Sequence, residues 1–173
     1  MCAGGTLSAS DTRRVIFLVG TWIASDHPDI VIVEFVGVYW PGQDGPDDYQ
    51  SLAWSFRWIA EAERFTQAVL ATGVHLYWVI PPPGSSIEAN SYGFRDLSIF
   101  EANSHPGVRL IDWWTPMTTN DGHWALWIND GDGQGYIPIR DRDGLHFTPQ
   151  GNQRVTEWLL TAIRPEWDTP PVP

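Results

Sequence analysis

An aspartate and a histidine stand three residues apart in Asp143-Gly144-Leu145-His146. A histidine serves as a general base when its other ring nitrogen is held, and a carboxylate is the usual holder. This spacing lets both side chains share one turn of chain, so the pair is suited to taking a proton from a hydroxyl nucleophile. The residues that follow must fix that turn. Thr148 suits a helix N-cap and Pro149 the first helical position, and Val155, Trp158, Leu159 and Ala162 then recur on one helical face. A plain Asp-Gly turn beside a packing or surface histidine is the alternative that spacing alone leaves open.

The 173 residues suit a single domain, 1–173, long enough to bury a core without metal or disulfide help. With 43% hydrophobic residues and no apolar run long enough to span a bilayer, the composition is globular, and no membrane insertion is expected. No secretory signal is read either, because Arg13-Arg14 leads into an apolar run that reaches Asp26 without a cleavage-type site. The net charge of −11 argues against nucleic acid or an anionic membrane surface as a partner, since both need a basic footprint; an uncharged or cationic ligand fits better. The single cysteine, Cys2, excludes an internal disulfide and has no local base to make it a nucleophile. Eleven tryptophans are many for this length; they fill cores and rims, and such rings also stack on sugars.

The elements that would position the pair follow from periodicity. Residues 1–12 read as loop, and 12–25 as an amphipathic helix with a strand as the local alternative. Ile30 to Val36 is an almost continuous apolar run, as expected of a parallel strand covered on both faces, and the Gly/Pro-rich loop 38–48 then lies at its carboxyl end, where open α/β sheets place ligands. A helix is predicted over 48–72, with Leu52, Trp54, Phe56, Ile59, Phe65 and Leu70 apolar and Gly73 as its stop. A second strand, 74–80, closes on Pro81-Pro82-Pro83-Gly84; a helix over 87–103 and a third strand, 108–111, lead into Asp112-Trp113-Trp114. Repeated strand-helix units in one sense predict an α/β fold with a parallel sheet. Residues 124–128 and 136–139 flank a Gly/Asp-rich turn and read as a hairpin. Asp130, Asp132, Gln134, Gly135 and Asp141 also fall at calcium-loop spacing, which stays open as an alternative. Asp112, His123, Asp143 and His146 match no recognised metal-ligand spacing, so no metal and no cofactor is expected.

The strand ending in Phe35-Val36-Gly37, the second ending in Ile80-Pro81-Pro82-Pro83, the third ending in Asp112 and the block Asp143-Gly144-Leu145-His146-Phe147-Thr148-Pro149-Gln150-Gly151 occur in one order. Together they resemble the SGNH (GDSL-type) hydrolase family, most closely the actinobacterial domains found alone or attached to membrane O-acyltransferases. The resemblance implies a three-layer αβα fold with a flavodoxin-like parallel sheet, and a serine esterase or O-acyl (acetyl) esterase/transferase acting on a sugar or other hydroxylated small molecule. It assigns His146 as general base and Asp143 as its orienting partner. Oxyanion donors are expected near Gly5 and Gly37, and substrate contacts from Trp40, Asp112, Trp113 and Trp124 around the strand ends. Family members often work outside the cytoplasm.

Two departures touch the chemistry. No Gly-Asp-Ser segment is present, and the asparagine that the resemblance expects near Val38 or Tyr39 is absent; losing one oxyanion donor typically costs about a hundred to a thousandfold in rate. The first strands of the fold would then be missing, leaving the strand from Ile30 as an uncovered apolar edge that a missing N-terminal segment or a partner would complete. The alternative function is a catalytically inactive domain of the same fold that holds a carbohydrate through its tryptophans.

Overall fold

His75–Ile80, the second strand (β2), is buried at every residue but its first, a run of Leu76, Tyr77, Trp78, Val79 and Ile80 that needs neighbours on both faces. A computed structural model of the chain, which describes residues 9–34, 51–85, 88–129 and 135–167, supplies them. Helix α1 spans Ala9–Asp26, strand β1 Ile30–Val33, helix α2 Leu52–Leu70, helix α3 Glu88–Ser104 and strand β3 Val108–Asp112. A single 3-10 turn, Thr115–Met117, precedes strands β4 (Trp127–Asn129) and β5 (Tyr136–Pro138), and helix α4 covers Pro149–Trp167. The sheet runs in the order β1-β2-β3, with β1 parallel to β2 in the register Ile30 to His75 and Val33 to Trp78. Strands β4 and β5 form a separate antiparallel pair, the expected hairpin. Its turn, 130–134, on which the calcium alternative rests, lies outside the described residues, as do Gly5, Gly37 and Trp40.

β1 departs from the expected strand covered on both faces. Its residues are only partly buried and Ile32 is 37% exposed, because β1 lies at one end of the strand order with β2 on one side. The apolar edge that the family resemblance implied is therefore present among the described residues. α2 departs in its stripe. Ser51 caps it, accepting a hydrogen bond from Trp54 N at 3.1 Å, and Gly73 follows it at φ +78°. The buried face is Trp54, Trp58, Ala62, Phe65, Thr66 and Val69, while Leu52 and Phe56 face solvent at 73% and 63% exposure. The true stripe follows the i, i+4, i+8, i+11, i+12, i+15 progression from Trp54, and it takes in Ala62 and Thr66, which carry little hydrophobic signal.

The chain divides into two compact units, Met1–Val79 with Asp96–Leu110, and Ile80–Arg95 with Ile111–Pro173. In the first, α1 packs on α2, and Trp78 is seated between Trp58 and Phe65 with ring centroids 5.8 Å and 6.4 Å away. Its buried indole N–H donates to the Thr66 hydroxyl at 3.1 Å, so the large ring is buried without an orphaned donor. In the second, Met117, Ala125, Ile128 and Ile139 form the core, against which Ile137, Phe147, Val155 and Trp158 pack. Val155 and Trp158 come from the predicted face of α4.

Candidate active site

The turn carrying Asp143 and His146 is built by backbone geometry before any side chain is considered. Asp141 N donates to His146 O at 2.7 Å and Gly144 N to Asp141 O at 2.8 Å, closing a tight loop. Gly144 sits at φ +69°, where a side chain is strained, and an added Cβ would lie 2.1 Å from Ser85 Oγ. The start of α4 anchors the far side. Thr148 caps it as expected, its hydroxyl accepting from Gly151 N at 3.0 Å, and Thr148 N donates to Ile139 O at 3.1 Å. Gly151 approaches the same strand end so closely that a Cβ would fall 2.1 Å from Ile139 O.

On this turn Asp143 is fully engaged. Its Oδ1 accepts from Leu145 N at 2.9 Å and His146 N at 3.0 Å, and its Oδ2 lies 2.6 Å from His146 Nδ1. The His146 side chain and the two amides hold the Asp143 carboxyl at a pKa of about 2, well below its ordinary 3.8. An ionised Asp143 can only accept, so Nδ1 carries a proton, and in the neutral ring the lone pair is on Nε2. The His146 side chain is 77% exposed, which leaves that lone pair open to solvent. This is the orientation a general base needs.

Behind the turn lies Arg140, 5% exposed. One guanidinium nitrogen donates to Leu145 O and the other to Pro83 O at 3.1 Å, with the group 4.0 Å from the centre of the Phe147 ring. Ser85 joins from the loop after β2, its N donating to Gly144 O at 3.1 Å and its hydroxyl to Asp143 O at 3.2 Å. Trp124 borders the same glycine, 3.6 Å from where a Cβ would stand. Glu88 fixes that neighbourhood by accepting from Trp124 N at 2.8 Å, with His123 Nδ1 3.0 Å away on the same oxygen.

Sequence reasoning named Asp143, His146 and Trp124, and these meet at one turn. Asp112 is occupied locally, accepting from Thr115 N at 3.0 Å and from the Thr115 hydroxyl at 2.6 Å. Trp113 is buried, and Trp114 is buried against Tyr92 and Arg95. Ser85, Arg140 and Glu88 were missed as site residues. Ser85 carried one signal, its place just past the carboxyl end of a fully buried strand. Arg140 carried another, a cation placed directly after an apolar strand.

Comparisons with known proteins bear on the fold. None of the curated proteins matches the chain. Among solved structures it is similar to a protein assigned to the lipolytic G-D-S-L family from Desulfitobacterium hafniense DCB-2, with TM-score 0.59 and 11% identity over 86% of this chain and 73% of that one. It is also similar to a carbohydrate esterase of family 3 from Talaromyces cellulolyticus, with TM-score 0.58 and 16% identity over 92% and 67% of the two chains. These likenesses show the α/β fold of the SGNH hydrolases. A family model described as protein of unknown function (DUF459) matches residues 18–162, and this chain accordingly belongs to the DUF459 family.

Proposed function

We propose that the chain is an SGNH-type ester hydrolase domain, acting on acyl or acetyl groups carried by a sugar or another hydroxylated small molecule. The observation that carries this reading is the 2.6 Å contact between Asp143 Oδ2 and His146 Nδ1, on a turn that leaves the His146 side chain 77% exposed. The fold shared with a carbohydrate esterase supports the substrate class. In the proposed reaction His146 Nε2 takes the proton of a serine hydroxyl as the oxygen attacks the ester carbonyl. Asp143 stabilises the imidazolium, which returns the proton to the departing alkoxide; water then repeats the sequence on the acyl-enzyme. Ser85 is the serine whose hydroxyl the described residues bring to this turn, although it donates to the Asp143 carbonyl.

A second reading, a binding domain that holds a carbohydrate without cleaving it, is favoured by one observation. Trp127 and Tyr136 share a face of the β4–β5 pair and are 51% and 71% exposed, an open aromatic platform. Labelling with a fluorophosphonate, followed by peptide mapping, separates the readings. A hydrolase gives one labelled serine in the parent and none in His146→Ala, and Ser85→Ala tells whether Ser85 is that serine. An unlabelled but folded chain whose sugar affinity survives His146→Ala overturns the hydrolase reading.

A further inference from the structure

Away from the Asp143 turn, within the first unit, a second histidine meets two carboxylates. Glu63 projects from the middle of α2, Glu101 from the last turns of α3, and His105 lies just beyond α3's end. His105 Nε2 is 2.7 Å from Glu63 Oε2 and 3.3 Å from Glu101 Oε1, and one ligand atom of each residue falls within 4.8 Å of the other two. Two carboxylate oxygens and one imidazole nitrogen converging from two helices make a mixed N/O donor set.

The independent indication of a ligand is Glu101. It is completely buried, 0% exposed, yet the donors beside its carboxyl oxygens, the Thr66 hydroxyl and His105 Nε2 at 3.3 Å, are not aligned for good hydrogen bonds. A buried carboxyl left in this state is costly, and native structures normally pair such groups or place them on a metal. Burial holds its pKa above the usual carboxylate value, with Glu63 pushing the same way while the Thr66 hydroxyl and His105 offset part of the effect. A divalent cation would remove both problems, supplying a well-placed partner and cancelling the repulsion between the two carboxylates.

We propose that Glu63, Glu101 and His105 form a binding site for a divalent transition-metal ion, best suited to zinc, that pins α2 to the end of α3. Ligand atoms around tetrahedral zinc stand roughly 3.3 Å apart, given bond lengths of about 2.0–2.2 Å. The His105–Glu101 separation of 3.3 Å already has that value, and the His105–Glu63 pair, at 2.7 Å, opens slightly when an ion takes the place of the shared proton. The Glu63 side chain is 36% exposed and that of His105 14%, so an ion and a fourth, water ligand have a route in from solvent. Imidazole selects against magnesium, which prefers oxygen ligands and keeps its waters.

The test is zinc titration of the full metal-stripped chain by calorimetry, paired with the visible absorption of the cobalt form. One ion per chain is expected, with proton release on binding, a tetrahedral cobalt band and a raised Tm; magnesium should give none of these. Glu101→Gln, Glu63→Gln and His105→Ala should each weaken zinc by more than about tenfold. His146→Ala and His123→Ala should bind as the parent does. Circular dichroism checks each variant's fold, and Glu63→Gln, the most exposed change, keeps the test available if Glu101→Gln does not fold. Absence of stoichiometric zinc binding by the parent, or affinity unchanged in all three cluster variants, overturns the proposal.

Discussion

Two of the histidine–carboxylate groupings among the described residues have carboxyl groups pushed in opposite directions. Asp143 stands at the surface, saturated by two amides and a histidine, and its pKa falls to about 2. Glu101 is fully buried beside poorly aligned donors, and its pKa rises. Proximity to a histidine is common to both, so it does not decide the outcome. Hydrogen bonds to the charged form win on the turn, and desolvation wins between the helices. The first arrangement presents a base to solvent, whereas the second asks for a counter-charge.

The largest expected effect separates the two groupings by activity. Asp143→Asn should lower ester hydrolysis by about 10³–10⁴-fold, because an amide can fix the wrong tautomer of His146, with little change in Tm since the side chain is exposed. Loss of Tm in step with activity would show that Asp143 is structural and would erase the contrast. Next comes the backbone beneath the turn. Gly144→Ala should cost about 1–3 kcal/mol in urea unfolding, from the positive φ and the collision with Ser85. A neutral result would mean that the turn relaxes freely and does not hold the pair.

Smaller effects belong to the buried grouping. In metal-free protein Glu101→Met should change stability by less than about 1 kcal/mol or raise it, since a poorly satisfied carboxyl is exchanged for an apolar group of similar size. A loss of more than about 2 kcal/mol would reveal a partner that Glu101 needs. The smallest effect is a pH dependence with two signs. Glu101's folded pKa lies above 4.5, so its cost is complete above that raised value and disappears as the pH falls toward 4.5. Asp143's folded pKa lies below 3.8, so its contribution is complete above 3.8 and is lost as the pH falls toward 2. Stability in chelator should therefore rise and then fall on acidification. Glu101→Gln should flatten the first limb and Asp143→Asn the second; an unchanged profile in either variant would refute the corresponding assignment.

What was legible in the sequence was what is local. Asp143 and His146 are three residues apart, and Thr148, Pro149 and the Val155–Trp158 face announce the helix that braces them. The order of strands and helices was legible for the same reason, each element carrying its own period and stop. The stripe of α2 was misread because Ala62 and Thr66 contribute burial without a strong apolar signal, while Leu52 and Phe56 give that signal and are exposed. The coverage of β1 was misread because an apolar run reports the affinity of a strand for neighbours, not their presence. The grouping of Glu63 with Glu101 and His105 was invisible because its members are 38 and 42 positions from Glu63 and meet only through the packing of two helices. The role of Arg140 was hidden similarly, since Pro83 and Leu145 lie far apart in the chain and converge on one guanidinium.

That guanidinium has a consequence for motion. Because Arg140 holds a carbonyl from each of two loops, it ties them together, and a motion that withdraws its side chain opens both in one event. The Ser85 and Asp141 amides, which close the two sides of this assembly by donating to Gly144 O and His146 O, should then exchange their hydrogens at a common rate set by that single event. Removing the guanidinium should uncouple them, turning one slow gate into two fast ones.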